Sequence, residues 1–210
     1  MLTPRDGPAF EDTGSDARSI GNAAEEAEGC TRCDLYKNAT QVVFGEGPAK
    51  AQVVFVGEQP GDKEDLAGKP FIGPAGKLLD HCLEEAGVDR DLCYVTNAVK
   101  HFKFAPRGKR RIHAKPNIGE IQACAFWLAT ELRLLKPKLA VALGATAAYA
   151  LLGKQAKVTR DRGTFLSAPT GLPILVTIHP SALLRSMDQP DAELNRARFV
   201  EDLRKIREYL

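Results

Sequence analysis

Four short apolar runs punctuate a chain otherwise made of amphipathic stretches: residues 52–56, 94–99, 139–143 and 174–178. Each is β-branched or aliphatic along its length and is bounded by Gly, Pro or polar residues, the pattern of a strand buried on both faces. Between them, residues 76–86, 118–135 and 145–152 carry apolar positions at helical spacing, and 191–210 reads as a charged, amphipathic closing helix. Pro137 stops the long central helix, because it has no N–H to donate and its ring clashes with the preceding turn. A short Ala/Glu-rich helix ends near Gly29. The alternation predicts an α/β fold with three layers, α/β/α, around a central, mostly parallel, four-stranded sheet.

The first 16 residues mix Pro, Gly, Asp, Ser and Thr without periodicity, a composition that cannot offset its ordering entropy. They are expected to form a disordered tail before a single domain spanning 17–210. With 44% hydrophobic residues in 210, one core can be filled. No stretch approaches the roughly 18 apolar residues of a membrane span, and the acidic N-terminus does not suit a signal peptide. The expectation is a cytoplasmic monomer with no membrane partner. Five cysteines, an odd number, argue against a disulfide framework and leave metal binding or burial.

A net charge of +2 decides nothing about nucleic acid, but its placement does. From Leu92 to Gly119 there is no acidic residue, while Lys100, Lys103, Arg107, Lys109, Arg110, Arg111 and Lys115 are interleaved with Phe102 and Phe104. Phosphates are bound mainly by Lys and Arg, so this segment is expected to face DNA; a solvated basic turn is the alternative.

In open α/β sheets the ligand site forms in the loops leaving the C-terminal strand ends. Three polar motifs fall there: GEQPGDKED (57–65), TNAVKHF (96–102) and HPS (179–181). Gly57 and Gly61 bracket Glu58 and Gln59, so backbone can approach a ligand closely; an acidic surface turn is the other reading. Phe71, just before a helix, could stack on a planar base or simply fill core. Asn97 ends a strand with both a donor and an acceptor, as a pyrimidine edge requires. His179 leaves a buried strand at its loop end, where a lone His is more often a hydrogen-bonded turn residue.

Taken in order, GEQPGDKED, PFIGPAG, TNAVK and HPS resemble the motifs of the uracil-DNA glycosylase superfamily, especially its iron–sulfur family 4, over residues 29–185. The resemblance implies a base-flipping fold in which Phe71, Asn97, Gln59 and His179 hold uracil. Thymine must be kept out by a clash at its methyl, for which the 57–65 loop, with Asp62 close to the base, is the candidate. Gln59 departs from that family, which more usually has GEAPG or GEGPG.

Cys30 and Cys33 form a CxxC that can bind one metal centre; a thioredoxin-like pair would need a strand and helix that are absent around it. The resemblance implies a [4Fe–4S] cluster with Cys30, Cys33 and Cys124 among its ligands. At the remaining position, usually Cys, the chain reads Lys100-His101, which makes His101 the candidate fourth ligand. Zinc on the same four residues is the alternative. Cys82 and Cys93 sit in apolar contexts as small hydrophobes. The cluster's expected role is structural, tying the N-terminal segment to the DNA-facing loop.

The string Lys109-Arg110-Arg111-Ile112-His113 resembles the UdgX branch, which implies excision of uracil followed by covalent attachment of the sugar C1′ to His113. The chemistry stands by itself: losing the base leaves an electron-poor C1′, and a neutral imidazole held beside it outcompetes water through proximity. Glu58 is the expected partner that orients or deprotonates His113. His179 and loop N–H groups would stabilise charge growing on the uracil O2. Lys109, Arg110 and Arg111 are expected on phosphates of uracil-containing DNA, single-stranded first and double-stranded as the alternative. The competing readings are an ordinary turnover glycosylase and, from another class, a non-catalytic DNA-binding module.

Overall fold

The computed structural model describes residues 14–210, so most of the expected tail lies outside the described residues. Of that tail, Ser15 is buried: its N–H donates to Thr130 Oγ1 (2.8 Å) and its carbonyl accepts from Arg133 (2.6 Å).

The elements run α1 (Ile20–Glu28), β1 (Val53–Gly57), α2 (Asp62–Ala67), α3 (Pro74–Ala86), β2 (Cys93–Asn97), β3 (Phe104–Arg107), β4 (Arg110–His113), α4 (Ile118–Leu135), β5 (Leu139–Leu143), α5 (Ala145–Leu152), α6 (Val158–Asp161), β6 (Thr164–Ser167), β7 (Pro173–Thr177), α7 (Pro180–Arg185) and α8 (Ala192–Arg204). Sheet order is β2-β1-β5-β7-β6; the first four strands are parallel, and β6 pairs antiparallel with β7 at the edge. The sheet therefore has five strands where four were expected. β6 escapes a periodicity search because it is a four-residue edge strand, TFLS, exposed at both ends and only half-buried between.

Alternation along each strand divides the core into two layers. Val54 and Val56 of β1, with Ala140 and Ala142 of β5, pack against α1, α4 and α5. Val53 and Phe55, with Leu139, Val141 and Leu143, pack against α3 and α8. α4 begins at Ile118 because Asn117 and Glu120 form a reciprocal capping box, and it ends with Lys136 in the left-handed region ahead of Pro137. A second sheet of two antiparallel strands, β3 and β4, stands apart as a hairpin turned by Gly108 at φ +59°. No described helix is long and apolar enough to cross a membrane.

Candidate active site

The C-terminal ends of β1, β2, β5 and β7 open into a cavity of about 860 Å³, walled by Glu58, Asp62, Phe71, Asn97, His113 and His179 among others. Its floor depends on Gly57, where a Cβ would stand 2.4 Å from Asn97 Oδ1 and 2.8 Å from Phe71 Cζ. The missing side chain thus lets an aromatic ring and a carboxamide converge. Phe71 is held at φ +57°, an uncommon conformation for an aromatic residue and one that the surrounding structure must enforce. That enforcement includes Gly76, where any Cβ would collide with the Phe71 carbonyl, and Glu64, whose Oε1 accepts from Gly73 N–H (2.8 Å). Among the described residues, the Asn97 carboxamide has no protein hydrogen-bond partner, although the residue is buried. Its donor and acceptor remain free for a ligand.

His179 caps α7: its Nδ1 accepts from the Ser181 N–H (3.1 Å) and lies 2.8 Å from Ser181 Oγ. An Nδ1 that accepts a backbone N–H leaves the proton of the neutral ring on Nε2. Burial, aided by Arg185 and His113, pushes the imidazole pKa down to about 4, so the ring is neutral at physiological pH. It stands 6.2 Å centroid to centroid from Phe71, with 29° between the rings.

At the cavity mouth His113 Nε2 lies 3.4 Å from Glu58 Oε1, with the His113 side chain 49% exposed. The other oxygen, Glu58 Oε2, accepts a hydrogen bond from Thr146 Oγ1 at the start of α5. Thr146 was not singled out from sequence. The rule about strand ends could have found it, since residues 144–146 follow β5, yet no charged or aromatic residue marks that loop.

The hairpin carrying His113 is fastened at two places, and both change expectations. Gln59 was expected to read uracil, but its carboxamide is spent on the hairpin base. Nε2 donates to the carbonyls of Lys103 (3.0 Å) and Ala114 (3.1 Å), and Oε1 accepts from Lys103 N–H (3.1 Å). Arg111 was expected on phosphate, but its guanidinium meets Asp62 (2.6 Å) and Asp65 (2.5 Å) and donates to Thr40 Oγ1 (3.1 Å). It also lies over Phe102 and Phe104. Asp62 does line the cavity, with its carboxylate engaged by this arginine.

The reason lies in strand alternation, which turns Arg111 and His113 toward the domain and Arg110 and Ile112 outward. Two more members of the expected cationic rim are likewise withdrawn. Lys100 is buried, paired with Glu131 at 2.6 Å, and Lys103 pairs with Glu120 at 2.9 Å. Arg107, Lys109, Arg110 and Lys115 remain exposed.

Cys30 and Cys33 are partly buried and Cys124 is buried. Burial pushes the Cys124 thiol up to about 12, and Cys33 and Cys30 act in the same direction, so the three sulfurs share a neighbourhood. Two N–H groups point at them: Trp127 Nε1 to Cys30 Sγ and Lys100 N to Cys124 Sγ, each 3.1 Å. His101 is buried, which lowers its pKa and keeps a lone pair available. Among the described residues, no three His, Cys, Asp or Glu close tightly enough to grip one ion. Thiols, an imidazole and N–H···S donors are the donor types that either an iron–sulfur cluster or zinc accepts. Cys82 and Cys93 are buried in the α3/α8 layer, as expected of small hydrophobes.

A family model for the uracil DNA glycosylase superfamily matches residues 44–204. A type-4 uracil-DNA glycosylase of Thermotoga maritima is 38% identical over 188 residues, covering 89% of this chain and 92% of that protein. Similar proteins of the same description come from Sulfurisphaera tokodaii (34% identical; 90% of this chain, 84% of that protein) and Archaeoglobus fulgidus (32%; 90% and 92%).

Proposed function

The chain belongs to the uracil DNA glycosylase superfamily, and from that footing we propose that it excises uracil from DNA and captures the resulting sugar on His113. The observation that carries the capture step is His113 Nε2 facing Glu58 Oε1 at 3.4 Å, at the mouth of a cavity also lined by Phe71, Asn97 and His179.

A flipped uracil stacks on Phe71 and is read by the Asn97 carboxamide, its O4 and N3–H meeting donor and acceptor. As the C1′–N1 bond breaks, the electron pair leaves with uracil. The Nε2–H of neutral His179 donates to the O2 on which charge accumulates. Starting from the doubly protonated ring, Glu58 Oε1 takes the Nε2 proton of His113, leaving a neutral Nδ1–H imidazole whose Nε2 lone pair forms the bond to C1′. The alkylated ring then sheds its Nδ1 proton to solvent. Exposed Lys109 and Arg110 hold the phosphates, while Arg111 and Gln59 hold the hairpin.

Cys30, Cys33, Cys124 and His101 would hold a [4Fe–4S] cluster, which supplies a structural tie rather than chemistry at the base. The hairpin and its KRRIH string support assignment to the UdgX branch.

A denaturing gel tests the capture step. A uracil-containing oligonucleotide should give a DNA–protein band that survives boiling, is absent with thymine, and vanishes in His113→Ala while some uracil is still released. Uracil release by the unaltered protein with no such band would establish ordinary turnover instead.

A further inference from the structure

We propose that Thr146 is a positioning residue for His113 capture, acting through Glu58; the proposal rests on the capture reading above. Glu58 follows directly on β1 and its side chain is a quarter exposed, so by itself the carboxylate has room to rotate. Thr146, 3% exposed in the first turn of α5, has no such freedom. A β-branched threonine in a helix is restricted to two χ1 rotamers, and here the buried hydroxyl takes the one directed at Glu58.

An ionised carboxylate can only accept, so Thr146 Oγ1–H donates to Glu58 Oε2. With one oxygen pinned, the other is turned toward His113 Nε2. The 3.4 Å separation there lies at the outer edge of hydrogen-bonding distance, where a small rotation of the carboxylate decides whether a proton can pass. Thr146 also lines a second cleft, with Ile118, Ile121 and Tyr149.

A hydrogen bond to a charged group contributes enough for its loss to slow capture by about 10- to 100-fold. The test compares Thr146→Val, which keeps shape and loses the hydroxyl, with Thr146→Ser, which keeps the hydroxyl. Single-turnover rates of covalent band formation are measured on a uracil oligonucleotide, with its Kd measured separately. We expect Val to slow the band 10- to 100-fold at unchanged Kd, and Ser to stay within about 3-fold of the unaltered protein. In a Glu58→Gln background, Thr146→Val should add nothing further, because both changes break one unit. If Val fails to fold, Thr146→Ala serves in its place. Capture by Val at the original rate, or an undiminished Val effect in the Glu58→Gln background, overturns this proposal alone. Absence of any band from the unaltered protein overturns the capture reading and this proposal with it.

Discussion

Replacing Gln59 with Met separates two roles that its sequence position could serve. Methionine keeps the length and approximate volume of glutamine and removes all three hydrogen bonds to Lys103 and Ala114. At about 1 kcal/mol net for each, the hairpin's docked state loses about 3 kcal/mol, a shift of roughly 100-fold in the docked-to-open ratio. The Arg111 clamp and the Ala114 N–H to Lys103 carbonyl bond remain, so the domain should stay folded and the opening should be local. On a 5′-labelled oligonucleotide with one uracil, alkali-labile ends plus covalent band count every excision, and the band alone counts capture. We expect the captured fraction to fall by about 10- to 100-fold while total excision changes less than about 3-fold. Amide exchange over residues 104–113 should accelerate by a similar factor. Parallel loss of excision and capture with the hairpin amides still protected would refute the tethering role and return Gln59 to the base.

Three further outcomes follow from the same geometry. Lys100→Met strands the Glu131 carboxylate, which also accepts from Tyr94 and Thr96; breaking such a buried pair should cost about 3–5 kcal/mol in denaturant unfolding, with a smaller loss when Glu131→Leu is added. His179 binds its proton more weakly in the fold (about 4) than unfolded (about 6.5), so its stabilising contribution is full above pH 6.5 and is lost as pH falls from there through 4. The full shift corresponds to about 3 kcal/mol, reduced toward 1–2 by water at the partly exposed ring, and the fall in Tm across that window should flatten in His179→Gln. Protein purified without oxygen should show broad visible absorbance that is retained in His101→Cys and diminished in Cys124→Ser; a colourless, zinc-containing preparation would contradict the cluster.

Much of the scaffold follows from local sequence. The bounds of α4 and α5 coincide with the apolar spacing because helix periodicity and caps such as Asn117–Glu120 are written within a few residues. The four parallel strands show as doubly buried apolar runs, and the motifs at three strand ends line the cavity because polar residues at such ends have little else to contact. What tertiary structure alone decided is the use of each polar group. Seven cations in a stretch without acid read as one rim, yet Lys100 finds Glu131, Lys103 finds Glu120, and Arg111 finds Asp62 and Asp65. The Gln59 carboxamide turns to a backbone more than 40 residues away, and Thr146 to Glu58. Periodicity reports whether a position faces core or solvent; a hydrogen bond or ion pair is settled by groups within a few ångströms, and only the packing of distant segments brings those groups together.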